Sequence, residues 1–466
     1  SSGCTSELVE AEGMWHAYVL YCIKERACDL DRINAFLNRF LSHERKLRWM
    51  RLDNAAKIYP AAKRRKWNNF FRLSATLCDE VDKTVLRNAM DVTMRRFPSI
   101  AVRLCRGAFW YYLEELSSAP EITDEKSWPL AHTPFESINE CALRVIVYKN
   151  RIAVEFYHAL TDGTGGMVFL KSLLAEYIEQ KYGVEIPNEC GVLDRLTQPQ
   201  EEELEDSFSK NAGSVSVSRN ASTAFKIHYT PERDDFRHLT TFILDSTAAL
   251  SAAKSCGVSL TVYLTSAMLL ALQRIQDEQT PDKRRQKPIR VVVPVNLRRL
   301  FPSRTLRHFV HVIMPEIDPR MGDYEFSEIL TSVKHQLGLL VTKKNLCAMF
   351  TPNVNAERSP LLRVMPLFLK NIAMKLVYDT VGERTNCLNL SNLGDIKVPD
   401  AMRRYVTRFD FILGVQATKP NNCGVLSYNG KLYMNFIRNT VEPVLEFQFY
   451  QVLRELGLHV KVESNG

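Results

Sequence analysis

The chain has 466 residues, of which 45% are hydrophobic and 24% are charged. This is the composition of an ordinary soluble globular protein, and the length favours two domains. No apolar run reaches the roughly 18 uninterrupted residues of a transmembrane helix, so we expect none. The best candidate, 361–378, is interrupted by charged residues and a proline.

Charge and cysteine content narrow the function classes. The net charge of +8 includes two local clusters, at 63–66 and 283–287. Such clusters are usually solvated faces, and their functional alternative is attraction of a polyanionic small molecule or an acidic surface. No nucleic-acid-binding motif accompanies them, so we expect no nucleic-acid partner. The 11 cysteines occur singly, which predicts reduced thiols, a cytoplasmic location and no metal site.

The first part of the chain alternates helical and strand patterns. Apolar residues at helical spacing predict a helix over 14–45, within an N-terminal extension at 1–50. Asp79 is predicted to cap a helix from 80 to about 97. Strands are predicted around this helix, at 69–78, 99–105 and 108–116.

A hairpin and a glycine-rich turn follow. The β-branched runs 142–149 and 151–157 meet at Asn150 and predict two paired strands. From Gly165 the apolar residues recur at helical spacing, so the unit is strand, turn, helix. The turn begins with His158.

Composition then changes between 186 and 225, where the chain is acidic, then serine-rich, with few large apolar residues. This indicates a linker or mobile crossover. We therefore place a first domain at 51–195, a linker at 196–235 and a second domain at 236–466.

The second domain repeats the same types of element. The run 260–275 is apolar on nearly all sides and predicts a buried helix. The continuous apolar run 289–298 predicts a central strand. Further helices are predicted at 324–346 and 442–456, and further strands at 240–245, 307–316, 408–417, 424–430 and 431–438.

The turn YHALTDGTGG carries residue types suited to proton transfer. The imidazole of His158 has a pKa near neutrality, so it can accept a proton and return it. Asp162, four residues later, can fix the loop or pair with an arginine. Glycines such as Gly163 permit backbone conformations that larger residues resist.

Four stretches, FYHALTDGTG, GVSLTVYLTSAMLLAL, PVNLRRLFPS and LNLSNLG, occur in this order. Together they resemble the chloramphenicol-acetyltransferase-like superfamily, most closely its bacterial alcohol acetyltransferase-like branch and more distantly peptide-synthetase condensation domains. The resemblance covers about 50–460. It implies an α/β fold in which two sheet-and-helix domains form a pseudo-dimer with a tunnel between them, for which a monomer suffices.

The resemblance also implies roles for individual residues. His158 would be the general base and Asp162 a structural residue paired with an arginine, for which Arg103 and Arg298 are both candidates. The donors for the oxyanion would be Ser391 and Asn392, or the backbone at Gly163. A plain turn at 391–394 is an equal alternative for the first two.

The implied reaction is transfer of an acyl group, acetyl by first expectation, from a CoA thioester to a small-molecule alcohol or amine, with no tightly bound cofactor. Tyr157 stands where condensation domains have a second histidine, which loosens the link to carrier-protein chemistry. Transfer from a carrier protein's phosphopantetheine and a catalytically inactive binding protein of the same fold are the alternatives. A Cys141–His158 nucleophile pair is a further one, without a local signature.

Overall fold

The computed structural model describes residues 47–61, 69–132, 134–217, 222–233, 235–416 and 419–465. The helix predicted over 14–45 lies outside these residues. Arg48–Gly466 form one compact unit, and the description below concerns this unit.

The first part of the unit contains seven strands and five α-helices among the described residues. The strands are β1 (Trp49–Arg51), β2 (Phe70–Leu77), β3 (Val102–Arg106), β4 (Tyr111–Glu115), β5 (Ile122–Asp124), β6 (Leu143–Tyr148) and β7 (Arg151–Tyr157). The helices are α1 (Ile58–Ala61), α2 (Lys83–Arg96), α3 (Phe135–Glu140), α4 (Gly163–Tyr182) and α5 (Ser207–Asn211).

The second part contains nine further strands and eight α-helices in the described ranges. The strands are β8 (His238–Asp245), β9 (Ile289–Asn296), β10 (Val310–Ile313), β11 (Glu316–Ile317), β12 (Leu388–Asp395), β13 (Val406–Ile412), β14 (Asn421–Tyr428), β15 (Lys431–Arg438) and β16 (Lys461–Ser464). The helices are α6 (Ser246–Ser255), α7 (Leu260–Gln279), α8 (Phe326–Leu340), α9 (Lys343–Arg358), α10 (Pro360–Val364), α11 (Leu367–Val377), α12 (Asp400–Arg403) and α13 (Val444–Glu455).

Two large sheets organise the unit. The first has the order β13-β2-β7-β6-β5, and the second runs β10-β9-β12-β14-β15-β8-β16, with β11 also on β9. Helices α2 and α4 pack against each other beside the first sheet, and α7 packs against α13 and β9 in the second. Each sheet therefore has its own apolar core, which confirms the mixed α/β class.

The predicted hairpin is confirmed, because β6 and β7 pair in antiparallel register from Leu143–Phe156 to Tyr148–Arg151. The β7 side chains facing α4, such as Val154 and Phe156, are buried. Side chains alternate between the two faces of a strand. The register of β7 therefore determines the position of His158, the residue that directly follows the strand.

Several predicted boundaries were wrong. The helix at 80–97 begins at Lys83 and is capped by Asp82, which accepts from the Thr84 and Val85 backbones, whereas Asp79 accepts from the Tyr182 hydroxyl. The region 324–346 contains parts of two helices, because α8 ends at Leu340 and Thr342 caps α9. The region 307–316 contains β10 and the beginning of β11.

The segment predicted as a linker, 196–235, is packed over part of its length. Helix α5 lies in it, and Phe208 is fully buried in the second core. Glu203 forms a buried bidentate pair with Arg96 of α2, at 2.6 and 2.7 Å. Part of this acidic crossover is therefore packed against the protein, through the buried Phe208 and the Glu203–Arg96 pair.

Within the described residues, no single helix is long and apolar enough to cross a membrane. Helices α6 and α7, which are sharply bent relative to each other, reach that length and apolar composition only as a pair. The buried α7 explains this, since apolar core helices have the same composition. The cysteines of the described chain are free thiols.

Candidate active site

His158 lies directly after β7, where the chain turns toward α4. Its backbone N–H donates to the Asn69 carbonyl at 2.8 Å, which extends the pairing of β7 with β2 by one residue. The Leu160 N–H then donates to the Tyr157 carbonyl at 2.9 Å, closing a tight turn. The histidine is thus held by sheet hydrogen bonds on one side and a turn on the other.

Asp162 closes the turn as the N-cap of α4. Its Oδ1 accepts from the backbone N–H groups of Thr164 at 3.0 Å and Gly165 at 3.1 Å. A capping carboxylate accepts hydrogen bonds from N–H groups that lack helical partners, and its negative charge is stabilised by the positive end of the helix dipole. The motif therefore begins the helix as well as carrying the histidine.

The second carboxylate oxygen of Asp162 reaches the other half of the chain. Its Oδ2 accepts from Arg298 Nη1 and from the Phe309 N–H, both at 2.8 Å. Burial alone would raise the pKa of this carboxyl, but Arg298 and these donors hold the pKa below its usual value. Asp162 is therefore a buried, ionised anchor with both oxygens occupied.

Of the two arginine candidates, Arg298 forms the ion pair with Asp162 and Arg103 does not. Arg298 follows β9 in a turn capped by Asn296, and its guanidinium also donates to the Thr305 carbonyl at 2.8 Å. Arg103, on β3, forms an exposed pair with Glu114 of β4 at 2.6 Å. A surface pair of this kind has no geometric connection to the turn.

Among the described residues, three rings enclose His158. Tyr59 of α1 stacks on it with ring centroids 4.9 Å apart, Phe71 lies at 5.0 Å and His308 at 5.3 Å. The imidazole is half-buried among them. Desolvation lowers the pKa of His158 below its ordinary 6.5, so the neutral form that can accept a proton is favoured at neutral pH.

His308 and Tyr59 form a second polar contact beside the imidazole. The Tyr59 hydroxyl lies 3.3 Å from His308 Nε2. Burial, followed by repulsion from His158, lowers the pKa of His308 to about 3. His308 is thus a neutral ring, and its backbone N–H donates to Asp53 Oδ2 at 3.1 Å.

Sequence reasoning missed Tyr59, His308 and Asp53. Tyr59 and His308 are 249 positions apart and neither stands in a recognisable motif. The only available signal was the position of His308 just after PVNLRRLFPS, and that signal does not specify which ring the residue contacts.

The other predicted site residues occupy β12 and the start of α4. The Asn392 amide donates to Thr261 Oγ1 at 3.2 Å, and its oxygen accepts from the Gly394 N–H at 2.8 Å. Ser391 is nearly buried in the same strand. A Cβ added to Gly163 would lie 2.7 Å from Leu393 Cδ2, so the 391–394 segment packs directly against the first turn of α4.

Cys141 does not have the properties of an activated nucleophile. Burial raises the pKa of its thiol to about 11, and the Sγ lies 3.0 Å from the Leu143 carbonyl, to which it donates. A covalent mechanism needs a thiolate with a depressed pKa. Among the described residues, no group of three or more His, Cys, Asp or Glu side chains has metal-binding geometry.

A cavity of about 530 Å³ lies elsewhere, on the face of the first sheet that carries Arg72, Arg144 and Glu155. His158 does not line it. The imidazole instead lies beneath the Tyr59 ring.

No protein-family model and no curated protein matches the sequence. Solved structures do match. TRI101 of F. sporotrichioides, complexed with coenzyme A and T-2, has a TM-score of 0.58 at 10% identity, over 89% of this chain and 99% of that one. The epimerization domain of tyrocidine synthetase B has a TM-score of 0.56 at 13% identity, over 89% and 98%.

A condensation domain of the calcium-dependent antibiotic synthetase gives a TM-score of 0.54 at 13% identity, over 88% of this chain and 95% of that one. At this level of identity the likeness establishes the fold. The chain therefore has the two-lobed, chloramphenicol-acetyltransferase-like fold that TRI101 shares with these epimerization and condensation domains.

Proposed function

We propose that this protein is an acyltransferase that moves an acyl group, acetyl in the first instance, from a CoA thioester to the hydroxyl of a small-molecule alcohol. The observation that carries the proposal is the state of His158: a neutral, half-buried imidazole at a strand end, in a turn anchored by the buried Asp162–Arg298 pair. Solved structures of the same fold include TRI101 complexed with coenzyme A.

In this mechanism His158 accepts the proton of the acceptor hydroxyl as its oxygen attacks the thioester carbonyl. The tetrahedral intermediate carries the negative charge on the former carbonyl oxygen. Its collapse breaks the C–S bond, and the imidazolium returns the proton to the leaving thiolate. No covalent acyl-enzyme forms, and the imidazole ends neutral.

Asp162 acts in this mechanism as a positioning residue. Its oxygens are occupied by the α4 backbone, Arg298 and Phe309, so it does not share a proton with the substrate. It keeps the turn rigid, which holds the imidazole within the narrow geometry that proton transfer needs.

The oxyanion donor is a further part of the proposal. The Asn392 amide donates to Thr261 and its oxygen accepts from the Gly394 N–H, so we infer that Asn392 shapes the 391–394 segment, and we propose the Ser391 hydroxyl as the donor. The Gly163 backbone remains the alternative. Ser391→Ala should lower kcat by about 100-fold or more if this hydroxyl stabilises the oxyanion.

The test is release of free thiol from acetyl-CoA in the presence of a panel of alcohols and amines. We expect acceptor-dependent release by the wild type and a loss of about 1,000-fold or more in His158→Ala, with an unchanged circular dichroism spectrum. Near-normal turnover by His158→Ala would refute the general-base role.

Transfer from a carrier protein is the second candidate, favoured by the likeness to condensation and epimerization domains. Tyr157, where condensation domains have a second histidine, is fully buried beside β2. Presenting the same acyl group on CoA and on a phosphopantetheinylated carrier protein separates the two donors. No turnover of either, with ligand binding intact, would favour an inactive binding protein.

A further inference from the structure

Two consecutive helices present large apolar side chains to solvent. Helices α10 and α11 and the tip of the β3–β4 hairpin form what we call the apolar platform. Between 44% and 70% of each of its side chains is exposed. Its residues are Phe109, Leu361, Val364, Phe368, Leu369, Ile372, Leu376 and Val377.

The platform is continuous along one helix face. Phe368, Ile372 and Leu376 follow each other at four-residue spacing, which places them on one side of α11. The Leu367 N–H donates to the Ala108 carbonyl at 3.0 Å, so the hairpin tip that carries Phe109 adjoins the start of the helix.

The opposite face of α11 is firmly packed. Lys370 is buried, with its Nζ 3.7 Å from the centre of the Trp110 ring and 2.9 Å from the Phe109 carbonyl. Asn371 donates to the Tyr111 hydroxyl at 3.2 Å. The apolar residues therefore face outward because the other side of the helix is already fixed to the protein.

Within residues 359–378 the charged side chains are all cations, and the acidic residues Glu357 and Asp379 lie just outside this segment. Residues 359–378 contain no Asp or Glu, and Arg363 and Lys375 are exposed within them. Arg106, also exposed, lies on the hairpin beside Phe109. An apolar face bordered only by cations within its own segment is complementary to a surface that is apolar inside and anionic at its edge.

We propose that the apolar platform docks on the surface of an anionic phospholipid bilayer. Phe368, Ile372 and Leu376 enter the boundary between headgroups and acyl chains, and Arg363 and Lys375 contact the anionic headgroups. The helices lie along the surface and do not cross it, because α11 has 11 residues and a span needs roughly 20. This proposal is independent of the proposed reaction.

The test is flotation of the full chain with vesicles of phosphatidylcholine, with and without about 30% phosphatidylserine. We expect the wild type to float with the anionic vesicles and less with the neutral ones. The double variant Phe368→Glu with Ile372→Glu should lower the floated fraction by about ten-fold or more.

The matched control places glutamates at exposed apolar residues outside the platform, Met321 (81% exposed) and Leu339 (76% exposed). This variant should float as the wild type does. Arg363→Glu with Lys375→Glu should lower binding to anionic vesicles and leave the weaker neutral binding unchanged. Thermal melts of all variants show whether they are folded.

Three results would overturn the proposal. Wild-type protein that floats with neither vesicle would do so, and a dimer in light scattering that Phe368→Glu dissociates would then assign the platform to contact between copies of the chain. If the Met321 and Leu339 variant lost as much flotation as the Phe368 and Ile372 variant, the loss could not be attributed to the platform. Equal binding to neutral vesicles would remove the role of the cations.

Discussion

Tyr59 is the residue whose ring stacks directly on the imidazole of His158. It stacks on the imidazole at 4.9 Å and removes water from one of its faces. Because desolvation is the main cause of the lowered pKa of His158, part of that effect belongs to this ring.

The prediction concerns the acid limb of kcat/KM against pH. In the wild type, activity is expected to fall only as pH drops below 6.5, because the lowered pKa of His158 keeps the imidazole neutral until then. Tyr59→Ala admits water and moves the limb toward 6.5, whereas Tyr59→Phe keeps the ring and leaves it in place. Thiol release across about pH 5 to 8 measures this.

A limb that is unchanged in Tyr59→Ala would show that Phe71 and His308 account for the burial by themselves. A shift in Tyr59→Phe equal to that in Tyr59→Ala would assign the effect to the hydroxyl that contacts His308 at 3.3 Å.

At this scale the sequence was informative where the motif was local. The spacing of His158 and Asp162 placed both in one turn, because four residues suffice to connect a strand to a helix cap. The rings around the imidazole come from α1, β2 and the 305–309 segment, and no local pattern encodes such a meeting. Two arginines were open as partners of Asp162 because both follow or lie in strands, and only the tertiary fold separates them.

Among the elements, the first turn of α4 is packed so closely that one glycine has no room for a side chain. A Cβ added to Gly165 would overlap the Leu306 carbonyl oxygen and the Thr161 hydroxyl, two groups that already form a hydrogen bond of 2.6 Å with each other. The 305–309 segment and α4 are thus in backbone contact, and neither can shift alone.

Gly165→Ala should therefore lower the free energy of unfolding by about 3 kcal/mol, since backbone must move to accept the methyl group. Gly338→Ala in α8 is the control, because nothing lies within 4 Å of its added Cβ, and it should be neutral or stabilising by up to about 1 kcal/mol. Urea denaturation of both variants measures the difference. Equal effects would show that α4 can move away from Leu306.

The Asp162–Arg298 pair joins α4 to the turn after β9, and it gives a second prediction at this scale. Arg298→Met leaves a buried carboxylate without its cation, which should cost about 3–5 kcal/mol of stability. Arg103→Met breaks an exposed pair and should cost less than about 1 kcal/mol. Thermal melts at neutral pH compare the two, and equal losses would contradict a buried anchor.

The pH dependence of this pair has a definite sign. The pKa of Asp162 is lowered in the folded protein, so the pair's stabilisation is present above the ordinary carboxyl pKa of 3.8 and is lost as pH falls through the lowered value. The difference in melting temperature between wild type and Arg298→Met should therefore shrink below pH 3.8. A constant difference at all pH values would show that lost packing explains the variant.

For the whole molecule, the strand β13 decides how the two lobes are connected. It follows β12 of the second sheet in the chain, yet it pairs with β2 at the edge of the first sheet, from Val406–Leu77 to Ile412–Arg72. It also touches the second sheet, because the Tyr428 hydroxyl of β14 donates to the Val406 carbonyl at 3.0 Å.

The sequence could not reveal that β13, from the second part of the chain, joins the first sheet. The alternation over 408–417 predicted a strand, but alternation gives no information about which sheet the strand joins. The existence and order of most elements followed from periodicity and turns, whereas partner choice depends on long-range pairing. The boundary placed at 196–235 therefore separates the chain but does not separate the sheets.

The last prediction follows from this pairing of β13 with the first sheet. Residues 48–235 expressed alone lack β13, which leaves β2 as an exposed edge strand and uncovers the apolar side chains that Phe409 and Phe411 bury. We expect this fragment to aggregate, and co-expression with 236–465 to recover a soluble complex that co-purifies. The intact chain should melt in one calorimetric transition, because neither lobe is complete without the other. A soluble 48–235 fragment with its own cooperative melt would contradict this expectation, because it would show that the first lobe folds without β13.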